Sequence, residues 1–317
     1  RTYLQIVGGF CILNALIPIC SSYLRAFGFS KEPLYASIIG NVINFCLNAF
    51  FLFVLHKGVA GVATATVISR IINLVIVVML GAVLVKAKQH PERESNREVM
   101  GQIIRIGLPS ACETAIYNVS MTLVIRFLNQ MDAQGLNVTA RSYTMQITNF
   151  SYCVGAALAQ ANAIMTGWRI GAKEYDACDR GTRKAAIIGV IVAVILETMF
   201  ALCSGWIMQL FSKDPQMVSL VGKLLAIDIV LEMGRVTNLV YGQALKTSGD
   251  AVFPVVMGAC FMILCSVGGT YLFGIRLGLL AVGAYIGMAG DECVRAVGMY
   301  LRWKSGKWKE KGLVKSR

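Results

Sequence analysis

The chain has 317 residues, of which 56% are hydrophobic and only 15% are charged, and its mean hydropathy is +0.64. A soluble globular domain carries about a quarter charged residues, so this composition excludes an ordinary soluble protein. The formal net charge of +13 does not indicate a nucleic-acid partner, because most of the basic residues lie in alternate connections along the chain.

Nine apolar segments follow one another, and each has about the length that an α-helix needs to cross a bilayer. They are 3–24, 34–56, 59–85, 103–130, 138–166, 184–211, 217–245, 252–274 and 277–301. Most contain Gly, Ser, Thr or Asn, which favour close helix packing inside a membrane. We therefore predict an all-α polytopic membrane protein with about nine transmembrane helices.

Basic residues predict the topology of these helices. They concentrate in the connections 25–33, 86–100, 167–183 and 246–251 and in the C-terminal tail, whereas the intervening connections carry only Lys57, Lys213 and Arg276. Positively charged connections stay in the cytoplasm, so we expect these segments and the C-terminus there. The ten cysteines lie mostly in apolar segments, and we interpret them as small buried side chains and not as metal ligands or disulfides.

Two segments of the chain repeat each other. LRAFGFSKEP (24–33) and LKTSGDAVFP (245–254) share Leu, Gly and Pro at a constant offset of 221 positions, and HKGVAGVATATV (56–67) resembles RLGLLAVGAYIG (276–287). The repeat predicts a unit of six helices that is complete in 101–303, with its last three helices alone in 1–85. The polar segment 86–100 is then a cytoplasmic linker, and 304–317 is a basic tail. Such repeats are typical of secondary transporters, with the substrate path at the repeat interface.

These residues also carry a family resemblance. The run 24–53 is similar to the fourth-to-fifth helix region of the multidrug and toxic compound extrusion (MATE) transporters, which have an LRAxGxTxxP turn before a helix with regularly spaced Asn. IGLPSACE (106–113), GWRIGAKEYDAC (167–178), FSKDP (211–215) and ALKTSGD (244–250) match the family in the same order. The resemblance implies two six-helix lobes with alternating access driven by Na⁺ or H⁺. This chain would correspond to helices four to twelve of twelve. We expect the natural protein to have the first three helices, which this sequence does not include.

Carboxylates inside spanning segments are costly in a membrane and are therefore candidates for ion coupling. Four stand out: Glu113, Asp228, Glu232 and Glu197. Glu113 could exchange a proton or coordinate a cation such as Na⁺, although the resemblance places the glutamate of many relatives at the position of Tyr117, one turn further. Glu197 is either a member of the site or a buried hydrogen-bond donor.

The spacing of Asp228, Glu232 and Arg235 places all three on one stripe of a helix. Sodium-coupled relatives carry a carboxylate where Arg235 stands, and an arginine there would repel a cation. The stripe is therefore either part of the coupling site or an internal Glu232–Arg235 pair that lowers the cost of burial. For Asp291, Glu292 and Arg295 in the last segment, a structural ion pair is the favoured interpretation.

Uncharged and aromatic residues are the candidates for the substrate cleft, because rings attract cations and methionines adapt to different shapes. With Arg235 they are Asn44, Asn48, Tyr117, Asn118, Met121, Tyr143, Gln146 and Asn149, and Met145 and Tyr152 belong to the same wall. The same residues would also pack any helix bundle.

The sequence lacks a GxxxxGK[ST] loop for ATP and the HExxH and GxSxG motifs. We therefore expect no enzyme and no cofactor, but a secondary active multidrug efflux antiporter that exchanges organic cations or other amphipathic drugs for Na⁺ or H⁺. The alternative is a flippase of lipid-linked oligosaccharide from the same superfamily, which needs a more cationic cleft. Arg126, Arg141 and Arg235 keep this alternative open. We expect a monomer in the plasma membrane (the inner membrane of a bacterium), with small-molecule drugs and the bilayer as its partners.

Overall fold

The computed structural model describes residues 2–86, 96–132 and 135–311, and within these ranges it contains helices and no strand. Contacts divide the chain into two compact units, Arg1–Arg93 and Glu94–Arg317. Most of the predicted linker 86–100 lies outside the described residues, so its conformation stays a prediction.

The described residues of the first unit, 2–86, form four helices. They are α1 (Thr2–Gly9), α2 (Leu13–Ala26), α3 (Lys31–Ala49), which continues as a π-helical turn (Phe50–Val54), and α4 (Gly58–Lys86). Helix α4 packs against the other three. Asn44 donates a hydrogen bond to Ser69 Oγ at 3.0 Å, and Asn48 donates one to Asn44 Oδ1 at 3.0 Å. Of the two predicted cleft asparagines of this unit, Asn44 therefore joins α3 to α4, and Asn48 bonds to Asn44 within α3.

The described residues of the second unit, 96–132 and 135–311, form seven helices. They are α5 (Asn96–Met131), α6 (Leu136–Gly171), α7 (Tyr175–Leu202), α8 (Ser204–Gln209), α9 (Pro215–Thr247), α10 (Val252–Phe261), which continues through π-helical turns at Met262–Val267 and Thr270–Arg276, and α11 (Leu280–Lys304). A short 3₁₀ turn, Lys307–Lys311, follows. Asp214 caps α9 by accepting a hydrogen bond from the Gln216 N–H, and Pro215 occupies its first turn.

Every predicted span coincides with one helix or with two that follow each other directly, which confirms the predicted fold class. By length and composition alone, four helical stretches within the described ranges could cross a membrane: Lys31–Val54, Gly58–Val85, Tyr175–Leu202 and Val252–Arg276. The other long helices of the second unit carry more polar and charged residues, because they line an internal cavity. Helix α9 is central in this unit and packs against α6, α7 and α11.

The two repeated turns have the same geometry. Gly28 has φ +90° and Gly249 has φ +91°, a left-handed conformation that costs glycine little. In both turns a backbone N–H five residues further on reaches the carbonyl of the shared leucine, Phe29 to Leu24 at 3.0 Å and Asp250 to Leu245 at 2.9 Å. Each turn therefore ends its helix with the same glycine cap.

Further along the two copies, the offset changes from 221 to 222. The Leu55 N–H bonds to the Phe50 carbonyl at 3.1 Å, and the Leu277 N–H bonds to the Leu272 carbonyl at 3.0 Å. A Cβ on Gly61 would crowd Phe51, and one on Gly283 would collide with the backbone of Phe273. The sequence alignment of His56 with Arg276 was therefore wrong by two positions.

The π-helical turn Met262–Val267 explains this change, since the first copy has regular α-helix in the corresponding region. A π turn holds one more residue than an α turn, so it accommodates one inserted residue without disturbing the hydrogen bonds on either side. The second copy is longer by that residue.

Three segments that the sequence assigns to the cytoplasm meet at one end of the second unit. The buried Asp250 carboxylate accepts hydrogen bonds from Arg302 Nε and Lys311 Nζ, both at 2.7 Å. Trp303 donates to Asp179 Oδ1 at 2.8 Å, and its ring stacks on that of Trp308 at 4.2 Å. Burial alone would raise the pKa of Asp250, but the bonds from the two basic side chains outweigh it, and the pKa is lowered.

Candidate functional site

The second unit encloses a cavity of about 650 Å³ between α5, α6, α9, α11 and the helix that begins with α10. Its lining contains equal numbers of acidic and basic side chains. The acidic ones are Glu113, Asp228, Asp291 and Glu292, and the basic ones are Arg141, Arg235, Lys246 and Arg295. Such a volume lies within the range of sites for drug-sized ligands, about 300–1,000 Å³.

Glu113 forms an ion pair across this cavity. Lys246 Nζ, on the last turn of α9, lies 2.6 Å from Glu113 Oε2 on α5, and the two side chains are 22% and 18% exposed. Both groups are therefore partly accessible from the cavity. A buried carboxylate keeps its charge most easily beside a cation, and here the protein itself supplies that cation.

A chain of ion pairs links α9 to α11. Arg235 Nη1 lies 2.8 Å from Glu232 Oε2, and Arg235 Nε lies 3.5 Å from Glu292 Oε1. Arg295 then holds Glu292 at 2.9 Å and Asp291 at 2.8 Å. The structure thus contains both ion pairs that the sequence offered as structural alternatives. Five charges in one network hold the two helices in a fixed register.

Two other predicted carboxylates have no such partner. Asp228 is 3% exposed, lines the cavity, and leaves Oδ2 without a hydrogen-bond partner within the described chain. Glu197 on α7 is fully buried and interacts with the Ser151 side chain on α6, although neither carboxyl oxygen has a hydrogen bond of ordinary geometry among the described residues. Glu197 interacts electrostatically with Asp228 and Glu232, so α7 and α9 bring three acidic side chains close together.

The structure separates the predicted cleft residues into two groups. Tyr117, Met121, Asn149 and Arg235 line the cavity, as do Met145 and Tyr152, and the Arg235 guanidinium lies 6.0 Å from the centroid of the Tyr152 ring. The remaining predicted residues of this unit lie elsewhere: Asn118 donates to the Thr114 carbonyl, Tyr143 packs against Phe211, and Gln146 is exposed outside the cavity lining.

Sequence reasoning missed two residues that matter for the cavity. Lys246 was assigned to charge asymmetry alone, because its position beside a turn gave no sign that it folds back to α5. Tyr285 drew no attention as a lining residue, although it is almost completely buried there. Of the three arginines that the flippase alternative rested on, Arg141 and Arg235 line the cavity and Arg126 does not.

Comparisons with known proteins agree with this architecture. The family model MatE matches residues 109–272. The uncharacterized transporter YisQ of Bacillus subtilis is 33% identical over 99% of this chain and 70% of its own length. The probable multidrug resistance protein NorM of Thermotoga maritima is 22% identical over 99% of this chain and 68% of its own length. Multidrug and toxin extrusion protein 1 of Homo sapiens is 22% identical over 82% of this chain and 46% of its own length.

Solved structures show the same fold. A crystal structure of MATE in the straight conformation superposes with a TM-score of 0.85 at 19% identity, covering 98% of this chain and 70% of the other. An outward-facing multidrug resistance MATE transporter gives 0.85 at 18% identity, covering 98% and 71%.

Proposed function

The chain belongs to the MatE family of multi-pass membrane transporters, and from this premise we propose that the protein is a secondary active multidrug efflux antiporter. It exports organic cations or other amphipathic drugs in exchange for Na⁺ or H⁺. The relatives named for multidrug resistance and toxin extrusion support the export of drugs. The cavity supports an exchange mechanism.

The observation that carries this proposal is the Glu113–Lys246 pair on the cavity wall. A carboxylate that binds an ammonium group at 2.6 Å can bind a proton, a sodium ion or the charged nitrogen of a drug at the same oxygens. Only one of these cations can occupy the carboxylate at a time. Competition for a single carboxylate is the simplest way in which uptake of one cation drives release of another.

Sodium would need further oxygen ligands beside Glu113, because a hard cation prefers several oxygens. Within the described ranges, no three His, Cys, Asp or Glu side chains are placed to hold a metal ion together. The hydroxyl groups of Ser110 and Thr114 line the cavity on the same helix as Glu113. They are the nearest candidates in sequence for a sodium shell, whereas proton coupling needs the carboxylate alone.

The drug-binding surface that we propose is formed by Tyr117, Met121, Met145, Asn149 and Tyr152. Their side chains combine aromatic faces, thioethers and one amide around the charged groups, which suits flat cations of different shapes. The acidic and basic lining residues are equal in number, so no cationic excess favours the flippase alternative.

We also propose a location and an orientation. The basic connections 167–183 and 246–251 and residues 302–311 meet at one end of the second unit, which fits a cytoplasmic position for that end and for the C-terminus. The membrane would be the plasma membrane, and the protein would act as a monomer.

The test is ethidium efflux by the full-length gene product in a bacterial host that lacks its own drug exporters. We expect the wild-type protein to lower ethidium accumulation when an ion gradient is present. Glu113→Gln removes the titratable group and should abolish this effect, while Glu174→Gln, at an exposed residue outside the cavity, should not. Equal amounts of both variants in the membrane must be verified.

Two results would each contradict one part of the proposal, the export function or the coupling site. Unchanged ethidium accumulation with the wild-type protein would remove the export function. Full efflux by the Glu113→Gln variant would leave the function standing but would move the coupling site to Asp228, Glu232 or Glu197.

A further inference from the structure

When the ion pairs of the cavity are assigned, two lining charges remain. Glu113 is taken by Lys246, and Arg235 and Arg295 are taken by carboxylates of the α9–α11 network. Arg141 and Asp228 have no ion pair within the described residues, and they carry opposite charges. Asp228 still interacts electrostatically with Arg235, which is already paired with Glu232. The cavity therefore presents one cation and one anion outside its ion pairs to whatever enters it.

Arg141 is the more unusual of the two. It lies on α6, is 7% exposed, and has Nε without a hydrogen-bond partner in the described part of the chain. Its only hydrogen bond to another described residue is a weak one from Nη2 to Met121 Sδ at 3.7 Å. A guanidinium group that is removed from water without a partner is strongly destabilising, so a ligand that supplies the missing acceptor gains binding energy.

These two charges lie in the same part of the cavity. The hydroxyl of Tyr285, which is 2% exposed, interacts electrostatically with both Asp228 and Arg141. Met121, which accepts a hydrogen bond from Arg141, lines the cavity with them. A small molecule of drug size can therefore reach both charges at once.

We propose that Arg141 forms a subsite for the carboxylate of a substrate whose cationic nitrogen is held by Asp228. The cavity would then prefer zwitterionic molecules to molecules that are only cationic. A guanidinium group suits this task, because its planar N–H groups match the two oxygens of a carboxylate. The inference rests on the proposed function only in assuming that small molecules enter the cavity.

Binding of a matched pair of dyes to the purified chain tests the subsite without any need for transport. One dye is a xanthene with a free carboxylate and a delocalised cation, and the other is its methyl ester, which keeps the cation and loses the negative charge. We expect the wild-type chain in lipid nanodiscs to bind the free acid tighter by on the order of tenfold in fluorescence anisotropy, as a charge-assisted hydrogen bond predicts.

Two variants locate the effect. Arg141→Met, with a side chain of similar length and no charge, should bind both dyes equally. Arg126→Met removes an arginine that is exposed on the neighbouring helix α5 and does not line the cavity, and it should keep the preference.

Thermal unfolding without ligand gives a second readout. If Arg141 is an unpaired buried charge when no ligand is bound, Arg141→Met should raise the apparent unfolding temperature, because the substitution removes the desolvated charge. If Arg141 only holds helices together, the same change should lower it.

Each outcome decides the question. Equal binding of the two dyes by the wild-type chain, binding of neither, or a preference that persists in Arg141→Met would overturn the subsite. Loss of the preference together with a lower unfolding temperature would also overturn it, since Arg141 would then be structural. A clear preference in a protein that fails the ethidium assay would retain the subsite and refute the export function instead.

Discussion

Replacing Asp250 by asparagine should destabilise one end of the second unit. The Asp250 side chain is completely buried, and its two oxygens accept hydrogen bonds from Arg302 and Lys311 at 2.7 Å. Asparagine has nearly the same shape but carries no charge, so the substitution removes the charge attraction and leaves both cations without their counter-ion.

The magnitude follows from the exposure of the two partners. Arg302 is 17% exposed, so its bond has a value near that of a hydrogen bond to a charged group, about 1.5–3 kcal/mol. Lys311 is 45% exposed, and solvent reduces its contribution to that of a surface pair, about 0.2–1 kcal/mol. We therefore expect a loss of about 2 kcal/mol at neutral pH.

The effect should depend on pH in a defined direction. The pKa of Asp250 is lowered in the folded protein from an ordinary value of 3.8. The stabilisation is therefore fully present above that value and is lost as the pH falls through the lower folded-state pKa. Wild type and Asp250→Asn should differ at neutral pH and converge in strong acid.

Thermal unfolding in detergent, followed by tryptophan fluorescence, measures this difference, because Trp303 and Trp308 stack beside Arg302 and Lys311. We expect the apparent midpoint to fall by about 5 °C at neutral pH. Asp176→Asn is the control, since Asp176 is 87% exposed and its pair with Lys309 measures 4.0 Å. Equal midpoints for wild type and Asp250→Asn, or a difference that grows in acid, would refute the reasoning.

Two further predictions concern the repeat. Gly283→Ala should lower the free energy of unfolding by about 2 kcal/mol or more, because the new methyl group collides with backbone atoms of the π-helical turn Thr270–Arg276. The control is Gly290→Ala, where no atom lies within 4 Å of the added Cβ. This change should be neutral or stabilising when thermal midpoints are compared. Deleting Ile263, an exposed residue of the π turn, should leave a folded protein in detergent chromatography, while deleting Ile191 from the regular helix α7 should not. Aggregation of both deletion variants would contradict the insertion model.

The fold was largely predictable from the sequence, because a membrane helix can be recognised from the length and hydropathy of its own segment. Each span could be located without knowing its neighbours. The repeat was also visible, since the left-handed turns at Gly28 and Gly249 demand the same residue type in both copies. The inserted residue was not visible, because a π turn has no characteristic composition.

The site was less predictable, because it depends on which side chains meet. Glu113 was identified by its own burial cost, but its partner Lys246 lies 133 positions away and beside a turn where a lysine is unremarkable. Helical spacing correctly suggested that Glu232 and Arg235 would pair, since both belong to one helix. The pairing of Arg235 with Glu292, by contrast, requires knowledge of how α9 packs against α11.

In the proposed mechanism, the Lys246 ammonium group also determines which ligands bind well to Glu113. Because it is tethered to the protein, it competes at an effective concentration that is millimolar or higher and that no dilution lowers. A small hydrophilic ammonium ion that offers Glu113 only a charge gains little by replacing one ammonium with another. An organic cation must therefore obtain its affinity from the aromatic and thioether wall, so the tethered lysine would exclude small hydrophilic ammonium ions and admit amphipathic ones.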